Sequence, residues 1–290
     1  MLRVGTRGSA LALAQTRHVI NDLGSGELVV IEASGSVSND KARWTRALDT
    51  ALLNGEIDIA VHSAKDVPAE RPAGIRQAAV PQREDPRDRL CGAESLDALP
   101  TGARIGTASP RRVALISALR RDVAAVELRG NVDTRLRRLE DGTVDATVLA
   151  AAGLNRLGLD DVGAPLDPDT FTPAAGQGAL LLECREEDAT ALENAMAINH
   201  SNSAAELALE RAVVTALGAD CHTALGALAR CDGSAVTLDV VVLASNGNQW
   251  IRDRAIGAAA DSEQLVGDLI NNLRAAGAFE LLAEARGEVA

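Results

Sequence analysis

Aromatic residues are nearly absent from this chain: two Trp, two Phe and no Tyr among 290 residues. Base-stacking surfaces need several rings, so single-stranded nucleic-acid platforms are excluded. Lysine is as scarce, with Lys41 and Lys65 alone among 29 basic residues. Forty-one acids outweigh those bases and leave a formal net charge of −12. That balance opposes the counterion-releasing attraction behind non-specific DNA or RNA binding. The four cysteines, Cys91, Cys184, Cys221 and Cys231, show no CxxC or close Cys/His spacing of a zinc site. Their wide separation suits free thiols in a reducing compartment. No run approaches the roughly 20 apolar residues that cross a bilayer. The apolar part of the opening MLRVGTRGSALALAQ is too short and interrupted for a signal peptide. The expectation is a cytoplasmic protein without nucleic-acid, membrane or metal partners.

What is present is a local excess of arginine. Between Gly102 and Arg156 ten arginines face six acids, inside an otherwise acidic chain. Arg111 and Arg112 follow Ser109-Pro110, which reads as N-cap and first residue of a helix. The helix dipole is positive there and favours anions, so two cations in that turn are frustrated unless an anion joins them. This predicts a carboxylate- or phosphate-binding site. Arg120 and Arg121 sit instead at a helix C-terminus, and Arg137 and Arg138 on a solvated helix face, where such charges are ordinary.

The length predicts two or three domains, and 47% hydrophobic with 24% charged residues is typical of a globular chain. Short β-branched runs at 2–6, 27–32, 57–62, 103–106, 124–128 and 145–150 alternate with helical periodicity at 10–23, 42–53, 110–121 and 132–140. That alternation predicts α/β units with mostly parallel strands. Segments 81–89 (PQREDPRDR) and 173–178 (PAAGQG) read as crossings between domains. After Ser201 a helix at 204–217, strands at 235–244 and 249–256 and a helix at 262–276 predict an α+β domain. The expected division is 1–81 plus 179–196, then 82–178, then 197–290.

Ligands of open α/β sheets bind beyond the carboxyl ends of strands. That rule gathers Arg7 and Ser9; Ser63, Lys65 and Asp66; Thr107, Ser109, Arg111 and Arg112; Arg129, Asn131 and Arg135; and Arg156. Forked, permanently charged guanidiniums suit bidentate capture of several carboxylates.

The runs RVGTRGSALALAQ, AVHSAKDVP, EDPRD, GTASPRR, LRGNVDTRL, AGLNRLGL and PAAGQGAL, in this order, resemble the porphobilinogen deaminase family. The resemblance covers most of residues 2–185 and weakens beyond them. It implies an α/β fold of three domains. The first two resemble type II periplasmic binding proteins with a ligand cleft between them, and the third, small and α+β, carries the cofactor cysteine. The implied reaction, hydroxymethylbilane synthesis, condenses four porphobilinogens head to tail with loss of ammonia. Water then releases the linear tetrapyrrole, whose many carboxylates answer the arginine excess.

By motif position, Asp66 matches the catalytic carboxylate, able to stabilise the cation left by departing ammonia. Arg7, Ser9, Thr107, Ser109, Arg111, Arg112, Arg129, Arg135 and Arg156 match residues that hold cofactor and substrate. Gln15, Ser63, Lys65 and Gln177 fall at matching sites. GADCHTALG (218–226) makes Cys221 the attachment residue of a dipyrromethane cofactor. The chain departs from the family pattern at Ala224 and in a shortened lid loop, 36–44, where Lys41 and Trp44 stand at matching positions. The implied enzyme works as a monomer. A second reading, a cytosolic binding protein or sensor for a small carboxylate, would need Arg111, Arg112 and Arg129 but neither Cys221 nor Asp66.

Overall fold

The computed structural model describes residues 1–32, 41–220 and 223–286. They form two compact units: unit 1 comprises Met1–Asp85 and Gly176–Leu207, unit 2 Pro86–Ala175 and Ala208–Ala290. Among the described residues no helix is long and apolar enough to cross a membrane.

Unit 1 is built from β1 (Arg3–Thr6), α1 (Ala10–Asp22), β2 (Glu27–Val30), α2 (Lys41–Leu53), β3 (Ile59–Ser63) and β4 (Ile75–Ala79), joined later by the strand Leu180–Arg185 and the helix Ala189–Met196. Unit 2 contains β5 (Asp88–Cys91), β6 (Arg104–Gly106), α3 (Pro110–Leu119), β7 (Ala124–Val126), α4 (Val132–Glu140), β8 (Ala146–Ala150), α5 (Ala151–Asn155) and β9 (Ala164–Pro165). The returning strand and helix of unit 1 are then β10 and α6. The chain ends with α7 (Ser201–Ala216), β11 (Leu225–Asp232), β12 (Ala235–Leu243), β13 (Trp250–Ala258), α8 (Ser262–Ala275) and α9 (Ala278–Arg286).

The two large sheets share one strand order, β2-β1-β3-β10-β4 and β7-β6-β8-β5-β9. In each, the first three strands are parallel and the fourth runs against them. This doubled arrangement is a mixed α/β architecture. It has a consequence for the site. An antiparallel strand begins where its parallel neighbour ends, so Leu180 pairs with Ser63 and Asp88 with Ala150. The starts of β10 and β5 therefore join the carboxyl ends of β3 and β8.

Side chains alternate across a strand, and β3 shows what each face buries. Ile59 and Val61 pack with Val19 of α1 and Ala191 and Ala195 of α6, while Ala60 packs with Leu48, Ala51 and Leu52 of α2. In unit 2, Leu90, Ile105 and Val148 pack on Ala114, Leu115 and Ile116 of α3. The same core takes Ala224, Val241 and Leu243 from the region of the third, antiparallel sheet β11-β12-β13. The opposite face of β12 sends Val236, Leu238, Val240 and Val242 against α7, α8 and α9. Burial on both faces accounts for the unbroken apolar run 240–243.

Two expectations require comment. Lys41 and Trp44 lie in the first turn of α2 rather than in a loop. The run 41–53 lacks glycine and proline, and the helix predicted at 42–53 starts one residue earlier, overlapping the end of the expected lid loop. The rest of that lid and Cys221 fall outside the described residues.

Candidate functional site

In unit 1 the site residues follow β1 and β3. β1 leads to Arg7, and Ser9 then caps α1 by accepting from Ala12 N at 3.3 Å. α1 returns Gln15, which is buried and donates from Nε2 to Ser63 Oγ at 2.9 Å. Ser63 ends β3, and residues 64–66 form one 3₁₀ turn carrying Lys65 and Asp66. Lys65 Nζ donates to Oε1 of the fully buried Gln177 at 3.1 Å. The turn is tied to the crossing strand's approach because Ala64 N donates to Ala179 O at 3.0 Å. Gly176, at φ +72°, passes so close that a Cβ there would lie 3.0 Å from Lys65 N. Only glycine fits that torsion and that gap, which explains why GQG lies beside the Asp66 turn.

Burial pushes the Arg7 guanidinium below its ordinary value, and the nearby Asp66 charge counteracts the shift. The sequence-predicted residues Arg7, Ser63, Lys65, Asp66, Gln15 and Gln177 are thus joined within one unit.

In unit 2 the helix-start reasoning holds for geometry. Ser109 caps α3, accepting from Arg112 N at 3.5 Å, with Pro110 at the first position. Thr107 is buried, its Oγ1 accepting from Ser109 N at 3.2 Å. The anion among the two arginines, however, is supplied by the chain itself. Fully buried Asp88 accepts from Arg111 Nη2 at 2.8 Å and from Arg112 Nη2 at 2.7 Å. Arg111 Nη1 donates to Thr172 O at 2.7 Å, and Arg112 Nη1 to Val148 O at 2.7 Å. The frustration expected at this helix start is therefore relieved in part from within.

It is not relieved in full. Arg135 donates Nε to Gly130 O at 3.0 Å and has no carboxylate partner among the described residues. Burial, aided by the neighbouring Arg112 charge, pushes it down to about 10. Burial likewise lowers Arg111; Asp88 counteracts this and Arg112 reinforces it. Arg111 and Arg112 thus share Asp88, while half-buried Arg135 feels the Arg112 charge. Such a surplus of cations is costly unless anions complete it, and carboxylates are the natural bidentate partners of guanidinium.

Arg129 lies outside that group, exposed and paired with Glu127 at 2.7 Å. Arg156 closes α5 as its half-buried C-cap. Cys221 is outside the described residues, but Asp220 and Thr223 flank it in the chain. They are joined by Thr223 N to Asp220 O at 3.2 Å and Thr223 Oγ1 to Asp220 Oδ1 at 2.8 Å. Asp88 escaped the sequence reading because the rule used there takes residues after parallel strands. β5 is antiparallel and delivers its first residue instead. The signal was present in EDPRD, which had been read as a crossing.

Carboxylate groups fit the donors of unit 2, the guanidiniums of Arg111, Arg112 and Arg135 with the hydroxyls of Thr107 and Ser109. Residues 2–193 match the family model described as porphobilinogen deaminase, dipyromethane cofactor binding domain. Residues 204–275 match the porphobilinogen deaminase C-terminal domain. The chain is 45% identical to the porphobilinogen deaminase of Thermus thermophilus over 98% of each protein. It is 40% identical to that of Trichlorobacter lovleyi, over 98% of this chain and 96% of the relative. Identity to the Geobacter metallireducens protein of the same name is 41%, over 98% and 94%. These matches extend through both units. The chain belongs to the porphobilinogen deaminase family.

Proposed function

We propose that the chain is a hydroxymethylbilane synthase. It condenses four porphobilinogen molecules head to tail with loss of ammonia, then releases the linear tetrapyrrole by hydrolysis. Family membership across nearly the whole length supports this transferase activity in tetrapyrrole biosynthesis. The observation that carries the residue-level reading is the cluster of Arg111, Arg112 and Arg135, whose last member has no carboxylate partner among the described residues, since each pyrrole brings an acetate and a propionate. A dipyrromethane cofactor, when bound, supplies the terminal pyrrole α-carbon that attacks incoming substrate.

The chain's own groups have separable tasks in this reading. Arg111, Arg112 and Arg135 hold carboxylates where burial strengthens each charge-assisted bond. Thr107, Ser109, Arg129 and Arg156 extend the grip along the oligomer. Arg7, Ser9, Gln15, Ser63, Lys65 and Gln177 orient the reacting ring. Asp66, on a turn fixed by Ala64 and Val67 backbone bonds, stabilises the cation formed as ammonia leaves and takes the proton lost on rearomatisation. Cys221 holds the cofactor as a thioether, and Lys41 and Trp44 belong to the lid that the family pattern implies. A three-domain division at 1–81 plus 179–196, 82–178 and 197–290 accompanies this reading, supported by three separate sheets.

We also infer a cytoplasmic monomer, a reading supported by the free thiols Cys91, Cys184 and Cys231. A binding protein or sensor has no use for Asp66, and family membership favours the enzyme. The test is turnover: purified protein given porphobilinogen releases ammonia and a linear tetrapyrrole, and Asp66→Ala releases neither while keeping its fold. Equal product from both proteins would refute the role given to Asp66.

A further inference from the structure

Beneath the Asp66 turn, on the face of the sheet covered by α2, unit 1 buries four ionisable side chains that the reaction leaves unused. Arg71 donates Nε to Glu183 Oε1 and Nη2 to Glu183 Oε2, each at 2.6 Å. The same Nη2 reaches Asp49 Oδ1 on α2 at 2.5 Å. His62 Nε2 lies 3.2 Å from Glu183 Oε2. Glu183 is fully buried, and Asp49 and His62 nearly so.

The cluster resembles a metal site, because Asp49, His62 and Glu183 offer ligand atoms within 4.8 Å of one another. Yet the Arg71 fork already occupies both oxygens of Glu183, so the cation is part of the chain. Burying such charges is expensive, and an apolar core of equal volume would serve stability as well or better. Burial raises the Asp49 carboxyl above its ordinary value. Burial acts the same way on Glu183, but the adjacent His62 and the hydrogen-bonded Arg71 overcome it and hold that carboxyl low. The arrangement therefore keeps Glu183 ionised at the cost of desolvation, which calls for a purpose other than cohesion.

Its placement along the chain supplies one. His62 immediately precedes Ser63, Ala64, Lys65 and Asp66, and Arg71 follows Asp66 by five residues. One carboxylate on the crossing strand β10 thus grips both ends of the stretch 62–71. Between those ends the backbone is held by Ala64 N to Ala179 O and Val67 N to Ala64 O.

We propose that Glu183, with His62, Arg71 and Asp49, is a positioning network that fixes the height and direction of Asp66 from both sides of its turn. The proposal rests on the assignment of Asp66 as the catalytic carboxylate. His62 and Arg71 act through the backbone they anchor and touch no substrate. A misplacement of about 1 Å at a reacting group costs up to roughly 100-fold in rate, so loosening either anchor lowers turnover more than binding.

The experiment uses holoenzyme: wild type, His62→Leu, His62→Gln and Arg71→Lys, each checked for bound cofactor by intact mass and for folding by thermal melt. His62→Leu and Arg71→Lys are expected to lower kcat by about 10- to 100-fold with KM changed by less than about threefold. His62→Gln, whose amide restores an N–H donor to Glu183, is expected to recover most of the lost kcat. Loaded, folded His62→Leu or Arg71→Lys with kcat within about twofold of wild type would overturn the network. So would His62→Gln as slow as His62→Leu. If His62→Leu does not fold, Arg71→Lys, which keeps the charge but loses the fork, decides the matter alone. A wild-type protein that forms no tetrapyrrole would instead sink the functional assignment, which separates the two failures.

Discussion

In unit 1 the residues around Asp66 hold one another: Gln15 bonds Ser63, Lys65 bonds Gln177, and Glu183 anchors both flanks of the turn. In unit 2 Arg111 and Arg112 share the carboxylate of Asp88, and Arg135 has no acid partner among the described residues. Both units use the same device, an antiparallel strand that starts beside the end of the third parallel strand. The difference lies in what is left unsatisfied. Unit 1 is closed around one acid, which suits the proposed chemistry. Unit 2 retains a half-buried cation without an acid partner among the described residues, which suits the proposed grip on an anionic ligand.

The sharpest way to break this contrast is Asp66→Ala. Loss of a positioned acid–base and electrostatic group is expected to reduce turnover by about 10²–10⁴-fold, with the melting temperature little changed. A large fall in melting temperature with proportionate activity loss would make Asp66 a structural residue. Asp88→Asn should show the opposite pattern. Removing the shared partner of two buried cations is expected to destabilise the fold by about 3–5 kcal/mol, measured by chemical denaturation.

Arg135→Leu sharpens the comparison further, because fold and function should move apart. The apoprotein is expected to melt higher by about 2–4 °C, the equivalent of about 1 kcal/mol, while cofactor incorporation and elongation fall. The sign follows from the folded value of about 10 lying below the ordinary arginine value. The unfolded chain binds more protons between those values, so the wild-type apoprotein gains stability as pH rises through them. The advantage of Arg135→Leu should therefore be largest below pH 10 and shrink above it. The smallest stability effect belongs to Arg129→Leu. Its exposed pair with Glu127 contributes under about 1 kcal/mol, so any loss in elongation reports contact with the growing chain.

Much of the fold was legible where local chemistry decides it. The parallel strands β1, β2, β3, β6, β7 and β8 coincide with β-branched runs, and Ser9 and Ser109 mark the starts of α1 and α3. β12 and β13 fall at the predicted strands 235–244 and 249–256, but the antiparallel strands β5 and β10 were not legible. β5 lies within a charged, proline-containing segment that reads as a linker, and β10 hides Glu183 in an apolar run. Their polar residues are explained by partners far along the chain, Asp88 by Arg111 and Arg112 and Glu183 by Arg71. No local pattern announces such pairs. Arg111 and Arg112 show the same limit from the other side: their need for an anion was readable, but its first source was not.

Intact-protein mass tests the central claim most directly, with wild type and Cys221→Ala compared before and after addition of porphobilinogen. The account predicts that wild type carries one dipyrrole adduct and gains whole pyrrole units with substrate, while Cys221→Ala carries none. An unmodified wild-type mass, or an adduct that survives in Cys221→Ala, would contradict it.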